Sequence, residues 1–206
     1  MKQIVIILFC CVGLLPQTPS GGNSVLQSAF PSIVFGPVPQ TQDHSGKIET
    51  KYDGFNHETI VTLKKMRISC GAEKGLQSTL RDSCVSFVAS LHCPGEQLDH
   101  VSYVKLQLIF ETKDWDTRHP PAERELVVVA DSDRLKLGTM GLVKQDVDTS
   151  QLIDVMKEVL EVSLPYQAFN KIARAQMVEM KVGNSTFELR EKNIAALRDL
   201  NNRVKL

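Results

Sequence analysis

The alternation of apolar and polar positions marks out strands through the middle of the chain. Val104, Leu106, Leu108 and Phe110 alternate with Tyr103, Lys105 and Gln107, which predicts a strand within 101–111 carrying one buried face. Val85, Phe87, Ala89 and Leu91 alternate in the same way with Ser86, Val88 and Ser90, and Pro94-Gly95 ends that strand. Residues 58–68 predict a strand through their β-branched content more than through alternation, which is imperfect. There Ile60, Thr62 and Lys64 fall on one side, and Val61, Leu63 and Lys65 on the other. Short strands are expected at 125–130 and 135–137, around the turn Asp131-Ser132-Asp133-Arg134, and another at 142–147. Residues 155–164 fit both periods, and strand from Glu158 onward is the reading adopted. Residues 71–82 and 113–123 read as loops.

The period changes in the last quarter. Pro165 suits the first turn of a helix, with Ser163 as a candidate N-cap, and Tyr166, Phe169, Ile172 and Ala173 recur on one helical face. From Met177 the period is two, with Val178, Met180 and Val182 on one side. Gly183-Asn184 supplies a hairpin turn, and Phe187 and Leu189 continue the apolar side on the return strand. A second helix is expected from about Glu191, with Ile194, Leu197 and Leu200 on one side, Val204 following, and basic residues late, as the helix dipole favours. The sum is an α+β domain. It is mainly antiparallel β and sandwich-like, with two C-terminal amphipathic helices flanking a β-hairpin.

Ser163-Leu164-Pro165-Tyr166, Phe169, Ile172-Ala173, Val178, Val182-Gly183, Phe187-Glu188-Leu189 and Ala196-Leu197-Arg198 resemble the C-terminal signature of a group of exported bacterial proteins of unassigned function. Ala130-Asp131 with Leu135-Lys136-Leu137-Gly138 is similar to the same group. The resemblance covers about half the chain and implies an envelope setting. It supplies no activity and no site residues.

The N-terminus reads as an export signal over residues 1–20. Lys2 precedes a continuous apolar run from Ile4 to Leu15, too short for a membrane span of about 20 residues. Residues 21–46, rich in Gly, Pro, Ser and Gln, read as a flexible leader, and residues 47–206 as one domain. A membrane contact is expected only where the N-terminal segment stays uncleaved. The 24 basic residues equal the 24 acidic ones, and no basic stripe or aromatic platform stands out, so a nucleic-acid partner is not expected.

Of five cysteines, Cys10 and Cys11 fall in the export signal, leaving Cys70, Cys84 and Cys93. Cys70 ends one strand and Cys84 begins the next, so a Cys70–Cys84 disulfide is favoured over Cys84–Cys93 or three reduced thiols. His92, Cys93 and His100 match no zinc-ligand spacing, and the pairs Asp131/Asp133 and Asp146/Asp148 match no calcium loop. No nucleophile elbow, P-loop, metalloprotease or dinucleotide motif is present, so no catalytic, metal or cofactor residues are assigned and no cofactor is called for. Asn184-Ser185-Thr186 matches a glycosylation sequon, which the hairpin turn explains without a sugar. The expectation is an exported, non-enzymatic domain that binds an unknown protein or envelope partner, or serves as an envelope component. The rival reading is a small hydrolase with a dispersed site at His92, His100, Asp131 and Asp133.

Overall fold

A computed structural model describes residues 44–70, 83–113, 119–149 and 154–204. The signal, nearly all of the leader, and the 71–82 loop lie outside the described residues. Two antiparallel sheets and two helices enclose one apolar core. The first sheet contains β1 (Ile48–Asp53), β2 (Glu58–Cys70), β3 (Ser83–Pro94), β4 (Tyr103–Thr112), β7 (Gly141–Asp148) and β8 (Val155–Leu164), in the order β1-β2-β3-β4-β8-β7. The second contains β5 (Glu125–Ala130), β6 (Asp133–Thr139), β9 (Val178–Val182) and β10 (Ser185–Leu189), in the order β10-β9-β5-β6. Helix α1 (Tyr166–Arg174) joins β8 to β9, and α2 (Glu191–Asn201) follows β10.

The inward positions are those the alternation predicts. Val85, Phe87, Ala89 and Leu91 on β3, and Val104, Leu106, Leu108 and Phe110 on β4, are buried, as are Val178, Met180, Val182, Phe187 and Leu189 in the second sheet. The helices add Phe169, Ile172, Ala173, Ile194, Leu197 and Leu200 to the same cluster. Burying each large apolar side chain contributes about 1.5–3 kcal/mol.

The imperfect pattern of β2 has a structural cause. A bulge between Leu63 and Met66 leaves Lys64 and Lys65 both exposed and restores the phase, so that Met66 and Ile68 turn inward after Val61 and Leu63. Lys64 pairs with Glu49 at 2.8 Å and Lys65 with Glu111 at 2.6 Å, so both exposed lysines are matched by acids. Strand β1 has no counterpart in the sequence reading: it is an edge strand of mostly polar residues paired only with β2.

Two local expectations are corrected. Ser163 does not cap α1, because it is an exposed β8 residue opposite Lys105. Pro165 takes the N-cap place instead, its carbonyl accepting from the Ala168 and Phe169 N–H groups at 3.1 and 3.3 Å. The ambiguous segment is strand along its whole length, Val155–Leu164, rather than from Glu158 onward. Its helical look comes partly from Glu158, a carboxylate on the core side. The packed body is also under way before Lys47: the buried His44 ring lies 3.1 Å from the Asp199 carboxylate of α2.

The Cys70–Cys84 disulfide is present, joining residues directly opposite each other at the ends of β2 and β3. Cys93 is a free thiol whose side chain points into the core. Burial, and to a lesser degree the nearby Asp99 carboxylate, push its pKa up.

Candidate functional site

One end of the six-stranded sheet gathers the most unusual side chains. β1 and β2 are joined there by a turn that Asp53 organises. Its Oδ1 accepts from the Phe55 N–H at 3.0 Å and its Oδ2 from the Asn56 amide at 2.9 Å. These hydrogen bonds, the Asn56 amide first, hold the Asp53 pKa below its ordinary value. His57 closes the turn with φ of 51°, in the left-handed region, and its carbonyl accepts from the Gly95 N–H at 2.7 Å. Thr59 donates to the Gly95 carbonyl at 2.7 Å, so the tip is tied to the turn after β3. On this held loop Phe55 stands 99% exposed, and Tyr52 beside it is 40% exposed.

Directly behind the tip, on the outer face of the sheet, His92 meets Glu58. In the register, His92 of β3 faces Ile60 on one side and Tyr103 on the other, and Glu58 begins β2. His92 Nδ1 lies 3.1 Å from Glu58 Oε2, and His92 Nε2 lies 3.1 Å from Ser90 Oγ. The Tyr103 ring stacks on the imidazole with centroids 4.4 Å apart and planes 14° apart. An ionised carboxylate only accepts, so Glu58 fixes the Nδ1–H tautomer and leaves the Nε2 lone pair facing the Ser90 hydroxyl. Burial, followed by the negative charge of Glu58, raises the Tyr103 pKa. Lys105 of β4 is the cross-strand partner of Ser90, and its ammonium lies 3.3 Å from Glu161.

A second serine–histidine–glutamate chain lies between the sheets. His119 Nδ1 is 2.7 Å from Glu158 Oε2 of β8, and His119 Nε2 is 3.0 Å from Ser185 Oγ of β10. Arg124 donates from Nε to the His119 carbonyl at 2.8 Å, and its Nη2 lies 3.8 Å from Glu158 Oε1. Phe110 lies against the His119 ring. All three polar side chains are buried, with Ser185 at 6% exposure. Their connectivity is that of a nucleophilic triad, but their position is that of a pin between two sheets.

The four residues of the dispersed hydrolase reading do not converge. His92 lies on the outer face of the first sheet, and His100 is exposed beyond the end of β3. Asp131 belongs to the second sheet's β5–β6 turn, where its Oδ1 accepts from the Gln176 and Met177 N–H groups at 3.0 Å each. Asp133 pairs with Lys171 at 2.9 Å. The two acids line a groove of about 400 Å³ against α1, next to Asn170 and Arg174. Neighbouring strand residues point to opposite faces, so Cys93 turns inward where His92 turns outward, and the two cannot act together.

The sequence reading passed over Phe55, Glu58, Ser90 and Tyr103 as site residues, and likewise His119, Glu158 and Ser185. The spacing Ser90-x-His92 on a strand of unbroken alternation places both side chains on one face and was available as a signal. Glu58 and Tyr103 join them only through the strand register, which the chain does not display. No protein-family model, no curated protein and no solved structure matches the chain.

Proposed function

We propose that this chain is an exported binding domain that engages a protein partner of the cell envelope through the β1–β2 tip, with Phe55 as the anchor. The observation that carries this reading is the 99% exposure of Phe55 on a turn built to hold it. Single exposed apolar residues are common on protein surfaces. Phe55 differs in its support: Asp53 fixes the turn from within, and the His57–Gly95 hydrogen bond fixes it from the neighbouring connection. An aromatic ring presented on a preorganised loop loses little freedom on docking, and such rings are frequent anchors of interfaces.

Export is supported by the Lys2 and Ile4–Leu15 pattern and by the Cys70–Cys84 disulfide, since disulfides persist in oxidising compartments. Among the described residues no helix is long and apolar enough to cross a membrane.

The test replaces Phe55 by a photoreactive phenylalanine analogue and irradiates the full chain with its native envelope fraction. One discrete adduct is expected, competed away by unlabelled wild-type chain and not by Phe55→Ala. Phe55→Ala itself should change folding stability by less than about 0.5 kcal/mol, as for other exposed positions. Diffuse crosslinking, or a Phe55→Ala chain that competes as well as wild type, would sink the proposal.

A further inference from the structure

Beyond binding, we propose that Ser90 is an activated nucleophile that accepts an acyl group from small esters, with His92 as its general base. Glu58 and Tyr103 act as positioning residues. The inference rests on the outer-face cluster and not on Phe55.

The nucleophile, the base and the groups that position the base are in place. The Glu58 carboxylate 3.1 Å from Nδ1 sets the imidazole tautomer, and the Tyr103 ring stacked at 4.4 Å fixes its plane. Nε2 then accepts the Ser90 proton across 3.1 Å as Oγ forms its bond to the ester carbonyl carbon. The tetrahedral intermediate carries a negative oxygen, and Lys105, directly across from Ser90 on the same face, is the cation that would turn to it from its pairing with Glu161 at 3.3 Å. When the intermediate collapses, the carbon–oxygen bond to the alcohol breaks and Nε2–H returns the proton to the departing oxygen. Water then attacks the acyl-serine, giving its proton to Nε2, and the carboxylic acid leaves as Oγ regains a hydrogen.

Accessibility separates this chain of groups from its twin. Ser185 has the same connectivity but is buried between the sheets, with no approach for a carbonyl. Ser90 is only half-buried, Lys105 is 37% exposed, and both belong to the outward face of central strands. His92 is buried at the ring yet presents Nε2 to Ser90, as a shielded base should.

The experiment uses the full chain and a small fluorophosphonate, which Ser90 would attack at phosphorus with loss of fluoride and transfer of its proton to Nε2. Intact mass and peptide mapping should find one adduct, on Ser90. It should form at least about 10²-fold faster in the native chain than in urea, the scale of general-base assistance. Ser90→Ala should abolish it and His92→Gln should slow it more than about tenfold. Glu58→Gln should shift the pH profile of labelling, and Glu58→Asp should restore part of the rate, which a purely structural role would not produce. No adduct, an adduct on Ser185, or equal rates in native and denatured chain would overturn the proposal. The native-to-denatured comparison decides the matter even where His92→Gln fails to fold.

Discussion

At the scale of single residues, Gly183 shows how a turn can depend on a distant contact. Its φ is 55°, in the left-handed region, and a Cβ there would meet the Glu123 carbonyl oxygen at 2.9 Å. Gly95 has φ of 71° with nothing within 4 Å of the corresponding position. Gly95→Ala should therefore cost only the backbone strain, roughly 1–2 kcal/mol. Gly183→Ala should cost more, because the backbone of a neighbouring segment must also move. Urea unfolding of the two variants checks the difference, and equal losses would show that the Glu123 contact is unimportant. The turn itself was legible in Gly183-Asn184, although only the glycine takes a positive φ. Its contact with Glu123 was not, since sixty residues separate the two. The same limit hid the outer-face site: Ser90 and His92 are neighbours on one strand, but Glu58 arrives from another.

At the scale of elements, strands were readable where apolar residues alternate without interruption, as on β3 and β4. The signal weakened where a physical feature broke the period, and it was lost only at β1. The bulge at Lys64 and Lys65 shifts the phase of β2, the inward Glu158 disturbs β8, and β1 is an edge strand with little to bury. The β2–β3 pair also carries the disulfide, which closes a segment with a sequence separation of 14. Replacing both Cys70 and Cys84 by Ala should lower stability by about 3 kcal/mol on the chain-entropy account. Denaturant midpoints of the two proteins measure this. Two free thiols in a non-reducing peptide map of the wild type would remove the basis for the expectation.

At the scale of the whole molecule, the fold class was legible and the strand order was not. Hydrophobic period specifies which faces are buried, but nothing local states that β4 pairs with β8 after the chain has made β5, β6 and β7. The His119 chain is a product of that order, since Glu158 and Ser185 come from different sheets. His119→Ala would leave the Glu158 carboxylate, 2% exposed, without its imidazole hydrogen bond and with Arg124 at 3.8 Å. Removing the partner of a buried charge typically costs about 3–5 kcal/mol, whereas replacing both groups by apolar residues is often close to neutral. His119→Leu combined with Glu158→Leu should therefore be more stable than His119→Ala alone. Thermal and urea unfolding of the variants decide it; a double variant weaker than the single one would show that the pair contributes more than its mutual compensation.

The chain passes from the edge of the second sheet to the edge of the first through one residue, Met140, which is 1% exposed and donates its N–H to the Arg124 carbonyl at 2.8 Å. A junction this short cannot absorb insertions or deletions. One added residue would lift the methionine out of its socket or slide a whole ladder out of register. Descendants of this fold should accordingly vary in length at their hairpin tips while keeping this corner at a fixed count.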